Sequence, residues 1–212
     1  MIENQLISDF IYVGEFIDKE DSVNLISFKK EESIDNKTMS DKRGRVYIFL
    51  EEDEESSKIL KIGKSSDKGG IKGTLNLYYA ALSGTPGPNR FYLHHLISEK
   101  LKEGKRVKVF VRFAESVKKV IYGLTSNMEI DIPLDVTYIE KLCVEDYLKK
   151  FGSYPIWNYQ ERGERVKAEL QEKFANFIFN KSQNKNNKNN EDTYKICGGE
   201  DEGNKTHSPI FE

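Results

Sequence analysis

A chain of 212 residues is long enough for one good core, which favours a single globular unit with appendages over two full domains. Its 33 Lys and Arg against 35 Asp and Glu leave a formal net charge of -2, excluding a global positive field of the histone-like kind though not a local phosphate site. Cys143 and Cys197 form neither a CxxC pair nor a disulfide framework, no signal peptide opens the chain and no run of about 18 apolar residues spans a bilayer, so a soluble, cytoplasmic protein is expected.

Residues 1 to about 43 mix short apolar runs (Phe10 to Val13, Leu25 to Phe28) with acidic turns, which reads as one or two strands or a short helix before a polar linker. Arg45 to Leu50 is β-branched and aromatic, and Lys58 to Gly63 alternates charged and apolar residues after the acidic turn Glu51 to Ser57. These two runs predict a hairpin with one buried face. Gly69-Gly70 breaks the chain, Ile71 to Leu82 predicts a helix, and Ser83 to Pro88 ends it. A second helix is predicted over Arg90 to Lys102, then an alternating strand over Val107 to Phe113. Ala114 to Asp135 is irregular.

Thr137 to Phe151 predicts a helix with Ile139, Leu142, Leu148 and Phe151 inward and Gly152 as its stop, and Glu161 to Phe179 a further amphipathic helix. Residues 181 to 212, rich in Asn, Lys, Gly and Glu, are expected to be disordered. The organisation expected is therefore an N-terminal extension (1–43) that serves as a DNA-contact or dimer element, a catalytic domain (44–160), a C-terminal helix (161–180) and a tail (181–212). Lysines are dense where Lys58, Lys61, Lys64, Lys68 and Lys72 fall together and again from Lys100 to Lys108, while acids crowd Glu51 to Glu55. Such sign separation suits a localised phosphate site.

Two familiar motifs fail. Gly63-Lys64-Ser65 looks like the end of a P-loop, but Lys58 stands where the first glycine is required, so no nucleotide cofactor is expected. His94 and His95, adjacent on a helix, diverge by about 100° and have no acidic partner at ligand spacing, so packed or surface histidines are the better reading.

Arg45-Val46-Tyr47 on one hairpin strand, Lys61-Ile62-Gly63 on the next, and the order Glu145, Leu148, Pro155, Asn158 near the end of the domain carry more information together than apart. Over about residues 44 to 160 the chain resembles the GIY-YIG nuclease superfamily, with lysine in place of the second motif's tyrosine as in its restriction endonuclease-like subgroup. The resemblance implies an α+β fold, a small antiparallel three-stranded sheet flanked by helices. It also implies a catalytic set of Tyr47 as general base, Lys61 as the neighbouring cation and Glu145 as ligand of Mg²⁺ or Mn²⁺. Arg45 departs from the first motif's glycine. The arginine expected on the helix after the second motif is absent, leaving Lys72 at that distance and Arg90 as a more distant substitute. Lys64, Ser65, Arg90 and Asn158 are expected to contact DNA phosphate or support the site.

Each residue also has a plainer reading: Tyr47 packed on the sheet, Lys61 and Lys64 on a solvated strand edge, Glu145 in a surface ion pair with Lys141 or Lys149, and Trp157 in the core. The function implied is a sequence-specific endonuclease of double-stranded DNA, acting as a homodimer on a palindromic site and having no membrane partner. The alternatives are a structure-specific phage, mobile-element or repair nuclease, and an inactive nucleic-acid-binding protein of the same fold.

Overall fold

The structure is a computed structural model and describes residues 6–19 and 23–197. By contacts the chain divides into two compact units, one ending at Gln171 and the other starting at Glu172. Two strands, β1 (Ile11–Asp18) and β2 (Ile26–Lys30), and one helical turn, α1 (Asn36–Met39), precede the expected hairpin of β3 (Arg45–Glu52) and β4 (Ser57–Ser65). Helices α2 (Gly70–Tyr79) and α3 (Pro88–Lys102) lead to β5 (Arg106–Phe113). A second hairpin, β6 (Ser116–Tyr122) and β7 (Asn127–Pro133), precedes α4 (Val136–Phe151), α5 (Tyr159–Arg162) and α6 (Ala168–Cys197).

The α+β class holds, an antiparallel sheet flanked by helices, but the main sheet has five strands in the order β2-β1-β5-β3-β4 rather than the expected three. β1 hydrogen-bonds to β5 and β2 to β1, and Val13, Phe16 and Ile26 from these strands are buried in the core. The run over 11–18 thus belongs to the same sheet as the hairpin. Its partner is β5, about ninety residues away, which no local pattern reveals.

β3 lies between two partners and is buried on both faces, which accounts for its unbroken apolar run. Tyr47 and Phe49 point into one core with Ile71, Leu75 and Tyr78 of α2 and Leu93 and Ile97 of α3. Val46, Ile48 and Leu50 point into a second core with Val136, Val144 and Tyr147 of α4. His94 is buried in the helix layer: its Nδ1–H donates to the Tyr78 carbonyl at 2.8 Å while Nε2 accepts from the Leu25 amide at 3.0 Å. That is the packed histidine the sequence favoured.

The buried stripe of α4 differs from the expected one in part: Ile139 and Phe151 pack against the core as expected, but they do not form its centre. Val136, Val144 and Tyr147 are buried and Leu142 is 56% exposed, because the helix turns its 136-140-144-147 row to the sheet. The helix expected over 161–179 is broken: Gly163, at φ 64°, closes α5, and α6 starts at Ala168. Residues 181–197, expected to be disordered, are helical in α6. Lys and Asn cost only tenths of a kcal/mol each once a helix is nucleated. Residues 198–212 of the expected tail lie outside the described residues. No helix among the described residues is long and apolar enough to cross a membrane.

The acidic turn and the lysines from 100 to 108 do not form separate patches. Glu51 pairs with Lys100 at 3.2 Å, Glu52 and Glu15 with Arg106 at 3.5 and 2.9 Å, Asp53 with Lys105 and Glu52 with Lys108. Lys100, Lys105 and Lys108 thus pair with carboxylates at one end of the sheet, so the sign separation read from the sequence is closed there by ion pairs.

β4 is an edge strand, and an open edge is a liability unless covered. The segment after α4 covers it. Trp157 N–H donates to the Leu60 carbonyl at 2.8 Å, and the Asn158 amide both accepts from Ile62 N–H at 3.0 Å and donates to the Ile62 carbonyl at 2.9 Å. Asn158 is 1% exposed, so Asn158→Ala would strand two buried backbone groups of β4. A loss of about 2–4 kcal/mol is expected in urea denaturation; a change within 0.5 kcal/mol would show the clasp to be idle.

Candidate active site

Tyr47, Lys61, Gly63, Lys64, Glu140 and Trp157 line a cleft of about 140 Å³ beside the β4 edge. Asn89, Tyr92, Leu93, Tyr159, Gln160 and Glu161 complete its wall. Lys61 reaches it through a bulge. The β3–β4 register pairs Phe49 with Lys61 but Leu50 with Ile59, which leaves Leu60 as an extra residue. Leu60 buries in the core that holds Tyr47, and Ile59 and Ile62 in the core under α4. Strict alternation from Ile59 would turn Lys61 toward α4. The extra residue returns it to the face of Phe49 and Tyr47.

Tyr47 sits directly opposite Gly63. A Cβ built on Gly63 would lie 2.5 Å from the Tyr47 ring and hydroxyl, so the ring occupies the space that only glycine leaves open. The Tyr47 and Tyr78 hydroxyls are 2.5 Å apart, and the two rings pack with Phe49. Burial, then Tyr78 and Glu140, push the Tyr47 phenol well above its ordinary value of 10, while Arg90 pulls the other way. This reverses the expectation that a neighbouring cation depresses it. Only 5% of Tyr47 is exposed, and Lys61 is not among the groups that offset that burial. Tyr78 is likewise raised, by burial first. Burial also lowers the Lys61 ammonium, with Glu161 and Glu140 opposing.

Lys64 extends from β4 to Glu140 of α4, Nζ to Oε2 at 2.7 Å. Glu140 stands four residues after Val136 and four before Val144, on the buried stripe of the helix. Glu145 does not reach the cleft: it is exposed, with its nearest ion pair to Lys141 at 3.7 Å. The carboxylates that the fold brings to this cleft are thus Glu140, which acts on both Tyr47 and Lys61, and Glu161, which acts on Lys61. The readable signal for Glu140 was a lone acid on an otherwise apolar stripe.

Lys72 is exposed on α2 and does not line the cleft, whereas Arg90, at the start of α3, acts electrostatically on both Tyr47 and Tyr78. Ser65 holds the loop into α2: its Oγ accepts from Asp67 N–H at 3.1 Å and lies 2.8 Å from Thr74 Oγ1. Arg45, wholly buried, joins that network through Thr74 Oγ1 at 3.3 Å and the carbonyls of Arg43 and Asp67, each at 3.0 Å. Asn158 is the clasp on β4, and Trp157, 4% exposed, is core as well as cleft wall.

No family model and no curated protein sequence matches the chain. Among solved structures it is similar to restriction endonuclease HPY188I in complex with product DNA, at 21% identity and a TM-score of 0.39, over 73% of this chain and 82% of that one. It is also similar to a mutant of bacteriophage T4 EndoII, at 21% identity and a TM-score of 0.41, over 74% of this chain and 98% of that one.

Two outcomes follow from the tyrosine geometry. Gly63→Ala is expected to cost about 1–3 kcal/mol in denaturant unfolding and to alter the near-ultraviolet tyrosine signal, since the ring must move; unchanged stability and spectrum would contradict the contact. Because the Tyr47 and Tyr78 phenols are raised in the folded state, their contribution to stability is complete below pH 10 and fades as pH rises beyond it. Phenolate absorbance should therefore lose two late-titrating tyrosines in a Tyr47→Phe/Tyr78→Phe variant, while Tyr12 and Tyr159, also raised by burial, remain.

Proposed function

We propose that the cleft between β4, α3 and α4 is the active site of a metal-dependent endonuclease that hydrolyses phosphodiester bonds of double-stranded DNA. The observation that carries this reading is the convergence, at one edge strand, of two lysines, a buried tyrosine and a carboxylate drawn from β3, β4 and α4. Phosphodiester hydrolysis requires positive charge at the phosphoryl oxygens, a positioned water and help for the leaving group. Lys61 and Lys64 supply the charge, and the poorly solvated Lys61 ammonium gains most from a phosphate partner.

In this reading Glu140 takes the ligand role that the family resemblance implies for Glu145. No group of three His, Cys, Asp or Glu side chains able to hold a metal occurs among the described residues. The donor set nevertheless fits Mg²⁺ or Mn²⁺, which are held by one or two carboxylates with substrate phosphate and water completing the shell. Glu140 would be the protein ligand, with Glu161 on the same wall. When bound, the ion polarises the phosphoryl oxygen and lowers the pKa of a coordinated water.

Tyr47 acts in this reading as a neutral phenol. Its proton is held by burial and by the hydroxyl pair with Tyr78, so it orients the water or a phosphoryl oxygen by hydrogen bonding. Asn89 on the cleft wall and the neighbouring Arg90, whose charge is felt at Tyr47 and Tyr78, would meet the DNA backbone at the start of α3. Sequence-specific cutting by a homodimer, in the manner of a type II restriction enzyme, is the finer form of the proposal.

Incubation with unmethylated plasmid and Mg²⁺ should give discrete fragments. Glu140→Ala should still bind the duplex but cut about 10³-fold more slowly, several kcal/mol of transition-state stabilisation, whereas Glu145→Ala should cut at the parent rate. Parent-rate cutting by Glu140→Ala would remove this site from the reaction.

A further inference from the structure

The β6–β7 hairpin carries an apolar face left exposed by the described residues. Cross-strand pairs Val117 with Ile132, Lys119 with Ile130 and Ile121 with Met128 share one face, by the two-residue alternation of the strands. Val117, Ile121 and Met128 are 50%, 47% and 63% exposed, and every residue of the two strands is exposed except half-buried Ile130. The opposite face mixes Val120 and Tyr122 with charge, Lys118 pairing with Glu129 at 2.7 Å and Asp131 beside them. A two-stranded hairpin is marginal in water without something packed on its apolar side.

At the root of the hairpin lies an apolar groove of about 380 Å³, between the N-terminal segment, the sheet and α4. Leu6, Phe10, Ile139, Leu142 and Leu134 line it, and Leu6, Leu142 and Leu134 remain 38%, 56% and 44% exposed. Asp9, Glu115 and Asp146 also line it against the single cation Arg112, so its rim is acidic. The one charge on the apolar face of the hairpin is Lys119.

We propose that the hairpin of one copy of this chain lays its apolar face into the groove of a second copy, with Lys119 meeting the acidic rim, and that the exchange is reciprocal. Hairpin and groove are both present on every copy, so a two-fold axis closes the contact as a dimer. Charge separates this occupant from DNA. Between Ser116 and Pro133, Lys118 and Lys119 are balanced by Glu129 and Asp131, so the hairpin has no cationic surplus for a phosphate backbone. The inference assigns a surface to the homodimer proposed above and does not need the nuclease chemistry.

Sedimentation equilibrium of the full chain tests it. The parent protein should be a dimer. Ile121→Asp, Lys119→Glu and Asp146→Lys should each weaken the dimer at least tenfold, and Lys119→Glu combined with Asp146→Lys should regain most of the loss, which a merely damaged fold would not do. A parent that stays monomeric overturns both this interface and the homodimer reading. A dimer unmoved by all three variants overturns the interface alone, as does an unmoved dimer whose duplex binding is lost in Ile121→Asp, which would make the hairpin a DNA element. A dimer that responds as expected while plasmid remains uncut supports the interface and sinks only the nuclease reading.

Discussion

One extra residue in an edge strand governs the candidate site. The bulge in β4 lets Leu60 and Lys61 face the same side, so the core keeps its leucine while the cleft beside Tyr47 receives a lysine. The carbonyl of Leu60 accepts from Trp157 N–H, and Ile62 is held at both backbone groups by Asn158. The residues on either side of Lys61 are therefore pinned from outside. A bulge at a free edge invites slippage; here the Pro155–Asn158 segment fixes the register and at the same time supplies Trp157 to the wall of the cleft.

From that edge the remaining parts take their places. Gly63, two residues on, clears the space for the Tyr47 ring, and Lys64 turns to the opposite face and meets Glu140 of α4. The two faces of the sheet thus both reach the cleft around β4. α2 contributes Tyr78 to hold the Tyr47 hydroxyl, and His94 holds the backbone of Tyr78 in turn. A buried tyrosine and a half-buried lysine are costly in isolation, and their burial shows in phenol and ammonium pKa values shifted toward the neutral forms. A group bearing negative charge would restore the lysine's favour, which is the electrostatic basis for reading the cleft as a phosphate site.

Much of the fold was legible in the sequence because its strands and helices are bounded by local signals: β3 and β4 by their apolar runs and the acidic turn, α2 and α3 by Gly69-Gly70 and the Pro-Gly loop, α4 by Gly152. Motif spacing singled out Tyr47 and Lys61, which the fold brings to one cleft, and Asn158, which it sets against β4. What escaped depends on partners distant in sequence. The pairing of β1 with β5 enlarged the sheet, and Glu51 to Asp53 met Lys100 to Lys108 as ion pairs. Motif spacing from Pro155 pointed to Glu145, whereas the carboxylate of α4 that lines the cleft is Glu140. Helical phase accounts for the difference in placement, since Val136, Glu140 and Val144 lie on one row and Glu145 lies off it.

The central claim is that the carboxylate facing Tyr47 and Lys61 works on a phosphate-bound metal. The most direct test is a crystal of the full chain grown with Mn²⁺ and a cleavage-resistant DNA duplex, read by anomalous scattering. The account predicts a manganese peak against the Glu140 carboxylate, with a backbone phosphate beside Lys61. A peak at Glu145, or a duplex bound away from the β4 edge, would contradict it.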